Sequence, residues 1–197
     1  MSERALRAGQ VGNDLLTERL RLRRWCPEDA AAALVIYGDR EVASRLSQPL
    51  RSVAGVGAME RILREWIAQD ERLAAPSGRW AVERRQDGRL VGGAFLLPLP
   101  PGEEDLEFGW HTAREHWGQG YASEAGRALA GWAFDHGEEE LFAVVRTGNV
   151  RAASVAQRIG MEWVGETDKY YGLTLQVYRV RRADLLPGAA GGPRDLP

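Results

Sequence analysis

Apolar and polar positions follow two rhythms along this chain, and their order outlines a fold. "RLRLRRW" (19–25) places Leu20 and Leu22 two residues apart and ends on Trp25, the spacing of a half-buried strand. Pro27 then opens "PEDAAAALVIYGD", a helix with acidic residues in its first turn, where the dipole favours them. A second helix follows, with Ser52 as its candidate cap. Its Met59, Ile62, Leu63, Trp66 and Ile67 recur at helical spacing and make one apolar stripe. "GRWAVERR" and "RLVGGAFLLPLP" read as strands joined at Gln86-Asp87-Gly88, because Asp-Gly favours a tight hairpin turn. A third strand, "DLEFGWH" (105–111), follows Pro-Pro-Gly. Tyr121 to His136 is helical in period and stops at Gly137. "LFAVVRTG" is a buried strand, "NVRAASVAQRIG" a short helix closed by Gly160, and "MEWVGE" and "LTLQVYRVRR" are the last two strands. A meander followed by a crossover helix predicts an α/β (α+β) domain. Its sheet is mixed but mostly antiparallel, with about seven strands flanked by about four helices.

A chain of 197 residues suits one domain that buries roughly 70% of its unfolded surface. The domain is expected over 15–184, with the Gly-, Pro- and Ala-rich or unpatterned ends 1–14 and 185–197 mobile. A net charge of −2 gives no electrostatic footprint for nucleic acid, and no Lys/Arg block suggests an anionic membrane. Cys26 is the only cysteine, so it forms no internal disulfide or Cys-based zinc site and reads as a packing residue. No metal is expected. Neither a signal-type apolar segment nor a run of roughly 18 apolar residues occurs, and the expected location is cytoplasmic.

The chemistry concentrates in "REHWGQGYASEA" (114–125), where Gly118 and Gly120 sit between a strand and a helix. The first amides of a helix lack intrahelical partners and carry the positive end of its dipole. Glycines let an anion approach that backbone closely. A tight connection explains the same residues equally well. Two phosphate motifs are excluded. A P-loop needs Gly-Lys-Ser/Thr where this chain has Gly120-Tyr121-Ala122. A Rossmann fingerprint needs Gly or Ala at Ser123 and an acidic residue ending the next strand, which here ends Arg146-Thr147.

"LEFGWHTAREHWGQGYASEAGRALAGWAF" resembles the acetyl-CoA-binding motif of the GNAT superfamily of N-acetyltransferases, in the flavour of its RimJ/RimL-like branch. "NVRAASVAQRIGMEWVGE" resembles the second family motif, and "LTERLRLRRWCPEDAAAL" the usual opening of that branch. The three occur in family order over roughly residues 16–182. The resemblance implies the GNAT fold and acetyl-CoA as cosubstrate. It also implies that the 105–111 strand is bulged and splays from the strand at Leu141, leaving a gap for the pantetheine. Backbone from about Trp117 to Ala122 would hold the pyrophosphate of coenzyme A. The implied coenzyme-binding set is Phe108, Gly109, Trp110, Arg114, Trp117, Gly118, Gln119, Gly120, Tyr121, Ala122, Asn149, Arg151 and Ser154. Glu115 stands where the family has Gln or Arg and is expected to point away, with Arg114 supplying the charge.

Acetyl transfer to an amine needs a base, an oxyanion donor and little else, because a thiolate leaves readily. Glu107 is the leading candidate base on the 105–111 strand, with His111 on the same face of that strand. The family's usual proton donors to the thiolate, a Tyr seven or a Ser three residues after the motif Asn, are Ala156 and Ala152 here. Ser154 lies nearby but about 200° around the helix from the Ser position. Tyr170, Tyr171 and Tyr178 belong to a terminal segment that lines the acceptor side in this family, and each is a candidate donor. Glu124 matches a family Glu or serves the helix N-terminus. The implied function is acetyl transfer from acetyl-CoA to a primary amine (small molecule or peptide) by direct attack in a ternary complex. A non-catalytic acyl-CoA-binding module of the same fold is the alternative, and a homodimer is left open.

Overall fold

Leu20 and Leu22 are fully buried, and the strand that carries them sits inside a nine-stranded sheet. The computed structural model describes residues 9–11, 14–46, 53–100 and 105–185. Its strands are β1 (Gly9–Val11), β2 (Asp14–Leu16), β3 (Leu20–Arg24), β4 (Gly78–Arg84), β5 (Leu90–Pro98), β6 (Leu106–Thr112), β7 (Glu140–Arg146), β8 (Glu162–Thr167) and β9 (Leu175–Arg181). The helices are α1 (Ala30–Tyr37), α2 (Arg40–Ala43), α3 (Val56–Asp70), α4 (Tyr121–Asp135), α5 (Val150–Ile159) and α6 (Arg182–Leu185). Spatial order in the sheet is β1-β2-β3-β4-β5-β6-β7-β9-β8.

The predicted order of elements is present, with additions at both ends. Gly9–Val11 pairs with Asp14–Leu16, so the sheet begins inside the segment expected to be mobile, and β1 and β2 account for the two strands beyond seven. Pro27–Asp29 is a 3₁₀ turn and α1 starts at Ala30. Gly55 stands at the N-cap of α3, while the candidate cap Ser52 lies outside the described residues. The residues after Leu185, most of the tail expected to be mobile, also lie outside them.

Two main cores form, one on each face of the sheet, and a third, small cluster gathers Leu99, Val144 and Leu175 with Tyr170 and Tyr171 packed against it. Alternate residues of β3 to β6, including Leu22, Trp80, Leu96 and Phe108, pack under α4 and α5. The opposite face, with Ala81 and Ala113, is covered by α1 and by Met59 and Leu63 of the α3 stripe. Gly126 sets the spacing of α4. A Cβ there would lie 2.5 Å from Ile159 Cδ1 and 3.0 Å from Phe108 Cζ, so only glycine lets α4 settle against α5 and β6.

One pairing positions everything that follows. β6 runs antiparallel to β5 from Thr112 opposite Gly92 to Leu106 opposite Pro98, without a register shift. β6 meets β7 in parallel only at Glu107 opposite Phe142. β7 stays paired with β9 from Glu140 to Arg146. The central strands are therefore splayed, as expected, but β6 carries no bulge against β5. Each strand keeps its outer neighbour, and sheet twist opens the gap between them.

Candidate active site

Beyond Glu107, β6 and β7 part and leave a cleft of about 330 Å³. Their facing edges, Phe108 to Thr112 and Ala143 to Arg146, have no ladder partner across the gap. The glycine turn and the N-terminus of α5 close one end, and Val42, Arg45 and Leu46, in and after α2, form part of the wall.

The turn is built by a short 3₁₀ segment, Arg114–His116, followed by Trp117 in extended conformation. Gly118 and Gly120 have φ of 77° and 80°, the left-handed region where a side chain is strained. Among the described residues, its chain neighbours aside, no atom lies within 4 Å of where a Gly118 Cβ would be, so that backbone faces open space. α4 starts at Tyr121, and the first amide of the helix to reach a carbonyl is that of Glu124, 3.0 Å from Gly120 O. The amides of Tyr121, Ala122 and Ser123 thus head the helix without intrahelical partners. Ser123 Oγ is buried in the same wall and has no partner among the described residues. Open backbone, left-handed glycines and an unclaimed hydroxyl at a positive helix end fit a pyrophosphate.

Glu124 does not cap its own helix. It accepts from Thr17 Oγ1 at 2.6 Å, Arg19 N at 2.9 Å and Arg19 Nε at 2.6 Å, and so ties the β2–β3 connection to the first turn of α4. Burial works against its charge, but those donors hold its carboxyl below the usual range. Glu115 points away, as expected: it is exposed and 3.5 Å from Arg89.

Glu107 lies at the apex of the splay, 1% exposed, and its carboxylate accepts a hydrogen bond from the Tyr171 hydroxyl. Tyr171 belongs to the β8–β9 connection and has a φ of 55°, uncommon for a non-glycine residue. His111 shares the Glu107 face. Its Nδ1 is 3.4 Å from Tyr37 Oη, its ring meets Phe95 and Tyr37, and burial pushes its pKa down to about 4. The ring is neutral at pH 7. His116, beside the turn, is also lowered, chiefly by burial; among the described residues its two ring nitrogens make no hydrogen bond, although Nε2 lies 3.2 Å from the Glu115 carboxylate.

The structure brings most of the expected residues to one cleft. Glu107, Phe108, Gly109, Trp110, His111, Trp117, Gly118, Gly120, Tyr121, Ala122, Asn149, Arg151 and Ser154 all line it. Asn149 caps α5, accepting from Ala152 N at 3.3 Å. Gln119, Arg114 and Tyr178 are not in the cleft lining, and neither are the other two candidate donors, Tyr170 and Tyr171. Gln119 turns back, donating to Glu115 O at 3.1 Å while its own carbonyl accepts from Arg19. Arg114 reaches outward to Glu41 at 3.2 Å. Tyr178, paired in register with Ala143, is 4% exposed within the core under α4 and α5, and burial raises its pKa. Its alternation on β9 points it into that core. Sequence reasoning did not single out Ser123, Arg45 or Glu41, whose roles arise only from packing between distant segments.

A sheet splayed above a helix-borne glycine turn defines the acyl-CoA-dependent transferase class. The family model "Acetyltransferase (GNAT) domain" matches residues 19–162, and the chain belongs to that family, whose members use acetyl-CoA. YkkB of Bacillus subtilis (strain 168), an uncharacterised protein, is 30% identical over 171 residues, covering 83% of this chain and 93% of YkkB. A GNAT-family acetyltransferase from Bacillus anthracis superposes with a TM-score of 0.71 at 20% identity, covering 85% of this chain and 98% of that one. RimL, a ribosomal L7/L12 α-N-protein acetyltransferase solved with coenzyme A, gives 0.69 at 16% identity, covering 84% and 95%. These neighbours agree with the GNAT fold. Among the described residues, no helix is long and apolar enough to cross a membrane.

Proposed function

We propose that the protein is an N-acetyltransferase that moves an acetyl group from acetyl-CoA to a primary amine by direct attack while both substrates are bound. The observation that carries this reading is the buried carboxylate of Glu107 at the point where β6 and β7 diverge. The glycine turn and the α4 amides hold the pyrophosphate, and the open edges of β6 and β7 receive the pantetheine as an added strand would be received. Acetyl-CoA supplies the activated acyl group.

The amine nitrogen attacks the thioester carbonyl; a C–N bond forms and the C–S bond breaks. Glu107 takes the proton the amine loses, directly or through one water, and Tyr171 orients the carboxylate by donating to it. Backbone amides on the open edge of β6 face the developing oxyanion. The departing thiolate takes its proton from solvent, and Ser154, on the cleft wall, donates a hydrogen bond to it or relays that proton, since Ala152 and Ala156 carry no hydroxyl. Neutral His111 closes the acceptor side beside Phe95. RimL, the neighbour solved with coenzyme A, is a ribosomal L7/L12 α-N-protein acetyltransferase. That supports an amine acceptor and leaves its size open among peptides, amino acids, polyamines and aminoglycosides. Incubating the protein with acetyl-CoA and that panel, and weighing the products for an added acetyl, tests the reading; turnover with none of them contradicts it.

A further inference from the structure

At the mouth of the cleft three guanidiniums share one carboxylate. Glu41 of α2 lies 3.1 Å from Arg45, 3.2 Å from Arg114 and 3.6 Å from Arg151. The three arginines come from the segment just after α2, the turn before Gly118 and the first turn of α5. Two of them also stack on Trp117: Arg151 Cζ lies 4.3 Å and Arg45 Cζ 5.5 Å from its ring. The Trp117 ring is itself fixed by its Nε1–H, which donates to Thr112 O at 2.9 Å. Arg45, Trp117 and Arg151 line the same cleft as Gly118 and Gly120.

The charges do not balance. Three cations face one anion, and Arg45 Nε is buried with no acceptor among the described residues. Arg114 and Arg151 are more than 60% exposed, the setting in which an ion pair is weakly held and readily exchanged. A surplus of cationic donors in a stacked, preorganised array fits a phosphate monoester, which carries close to two negative charges at pH 7. Glu41 then stands where the anion goes, and it also bolts α2, which contributes Val42 to the cleft wall, to the glycine turn and α5.

We propose that Arg45, Arg114 and Arg151 form a phosphate-monoester subsite separate from the glycine turn, with Glu41 as an internal anion that the ligand displaces. Given the proposed function, on which this rests, the ligand is the ribose phosphate of coenzyme A, and its arrival unlatches α2. Free phosphate has the same chemistry, and the probes separate the two sources.

Calorimetric titration of the wild type, Glu41→Gln, Arg45→Gln and Arg151→Gln with coenzyme A, 3′-dephospho-coenzyme A and inorganic phosphate reads the subsite. The wild type is expected to bind coenzyme A at least about tenfold more tightly than the dephospho form, and each arginine variant to shrink that ratio. Glu41→Gln is expected to bind coenzyme A about two- to fivefold more tightly, the worth of one exposed ion pair removed from competition. Competition by inorganic phosphate at millimolar concentration, without a preference for coenzyme A over its dephospho form, would assign the subsite to free phosphate and overturn the coenzyme assignment. Equal affinity for both coenzyme forms without such competition, or unchanged or weaker coenzyme A binding by Glu41→Gln, overturns the proposal itself. If the wild type binds neither coenzyme form, the proposed function fails. The latch is then read without ligand, by amide exchange over residues 40–46. Faster exchange in Glu41→Gln supports it and unchanged exchange overturns it.

Discussion

The hydroxyl of Tyr171 donates a hydrogen bond to the carboxylate of Glu107 across 64 residues of sequence, and it does so at the one position where β6 pairs with β7. A charge 1% exposed is costly to bury without partners, so the pair has both a structural and a chemical consequence. Glu107→Gln keeps the shape and removes the proton acceptor. It is expected to lower kcat by about 10²–10⁴-fold while coenzyme A affinity stays within about twofold, the usual worth of a general base. Tyr171→Phe should cost less and act on kcat and its pH profile. Steady-state kinetics and coenzyme A titration on the same samples check both.

Gly120 heads α4 at a φ of 80°. Gly120→Val should cost about 1–2 kcal/mol in backbone strain and weaken coenzyme A binding at least about tenfold. Gly137, with a φ of 98° and open space around its Cβ position, lies at the other end of α4 and supplies the control. Gly137→Val should lose similar stability in denaturant titrations and leave coenzyme A affinity unchanged.

His111 makes stability depend on pH with a definite sign. Burial lowers its pKa from 6.5 to about 4, so the unfolded chain binds the proton before the folded one does. Its contribution is complete above pH 6.5 and is lost as pH falls towards 4. His111→Gln does not titrate, so the wild type should lose up to about 3 kcal/mol more than the variant over that interval. His116 shifts in the same direction and remains in both proteins, which keeps the comparison to one ring. Urea unfolding at a series of pH values measures the difference.

Glu124 joins the N-terminal strands to the helix that carries the turn through three hydrogen bonds. Glu124→Ala leaves the Thr17 hydroxyl and two Arg19 donors without that acceptor. It is expected to cost about 1–3 kcal/mol and to lower Tm by several degrees. Because its folded pKa is depressed, the Glu124 contribution is present above the unfolded carboxylate range and lost as pH falls below it. The wild-type advantage over the variant should therefore shrink in acid, as thermal melts at pH 7 and pH 4 would record.

Local physics made much of this molecule legible. Leu20 and Leu22, the α3 stripe and the Asp87-Gly88 hairpin follow from period and backbone freedom, and the elements appear where those rules put them. Gly118 and Gly120 were readable because only glycine adopts that turn without strain. Partnerships between distant segments were not readable. Tyr171 was one of three equivalent tyrosines until folding brought it to Glu107. Tyr178 looked as eligible, but β9 turns its ring into the core under α4 and α5. Glu41 lies in a four-residue helix with no motif, and its three arginines come from three separate segments. The expected bulge in β6 failed for a related reason. Strand divergence can arise from twist and unequal pairing on either side, which no local sequence rule encodes. β1 and β2 escaped notice because three-residue strands are too short to show a period.

The central claim is acetyl transfer driven by the carboxylate at the splay, and the most direct measurement is amine-dependent release of free thiol from acetyl-CoA by wild type and Glu107→Gln side by side. The account predicts thiol release matched mole for mole by acetylated amine in the wild type, and a loss of about 10²-fold or more in the variant. Coenzyme A bound tightly by both proteins, with no amine-dependent thiol release by either, would contradict it and make the chain an acyl-CoA-binding module without turnover.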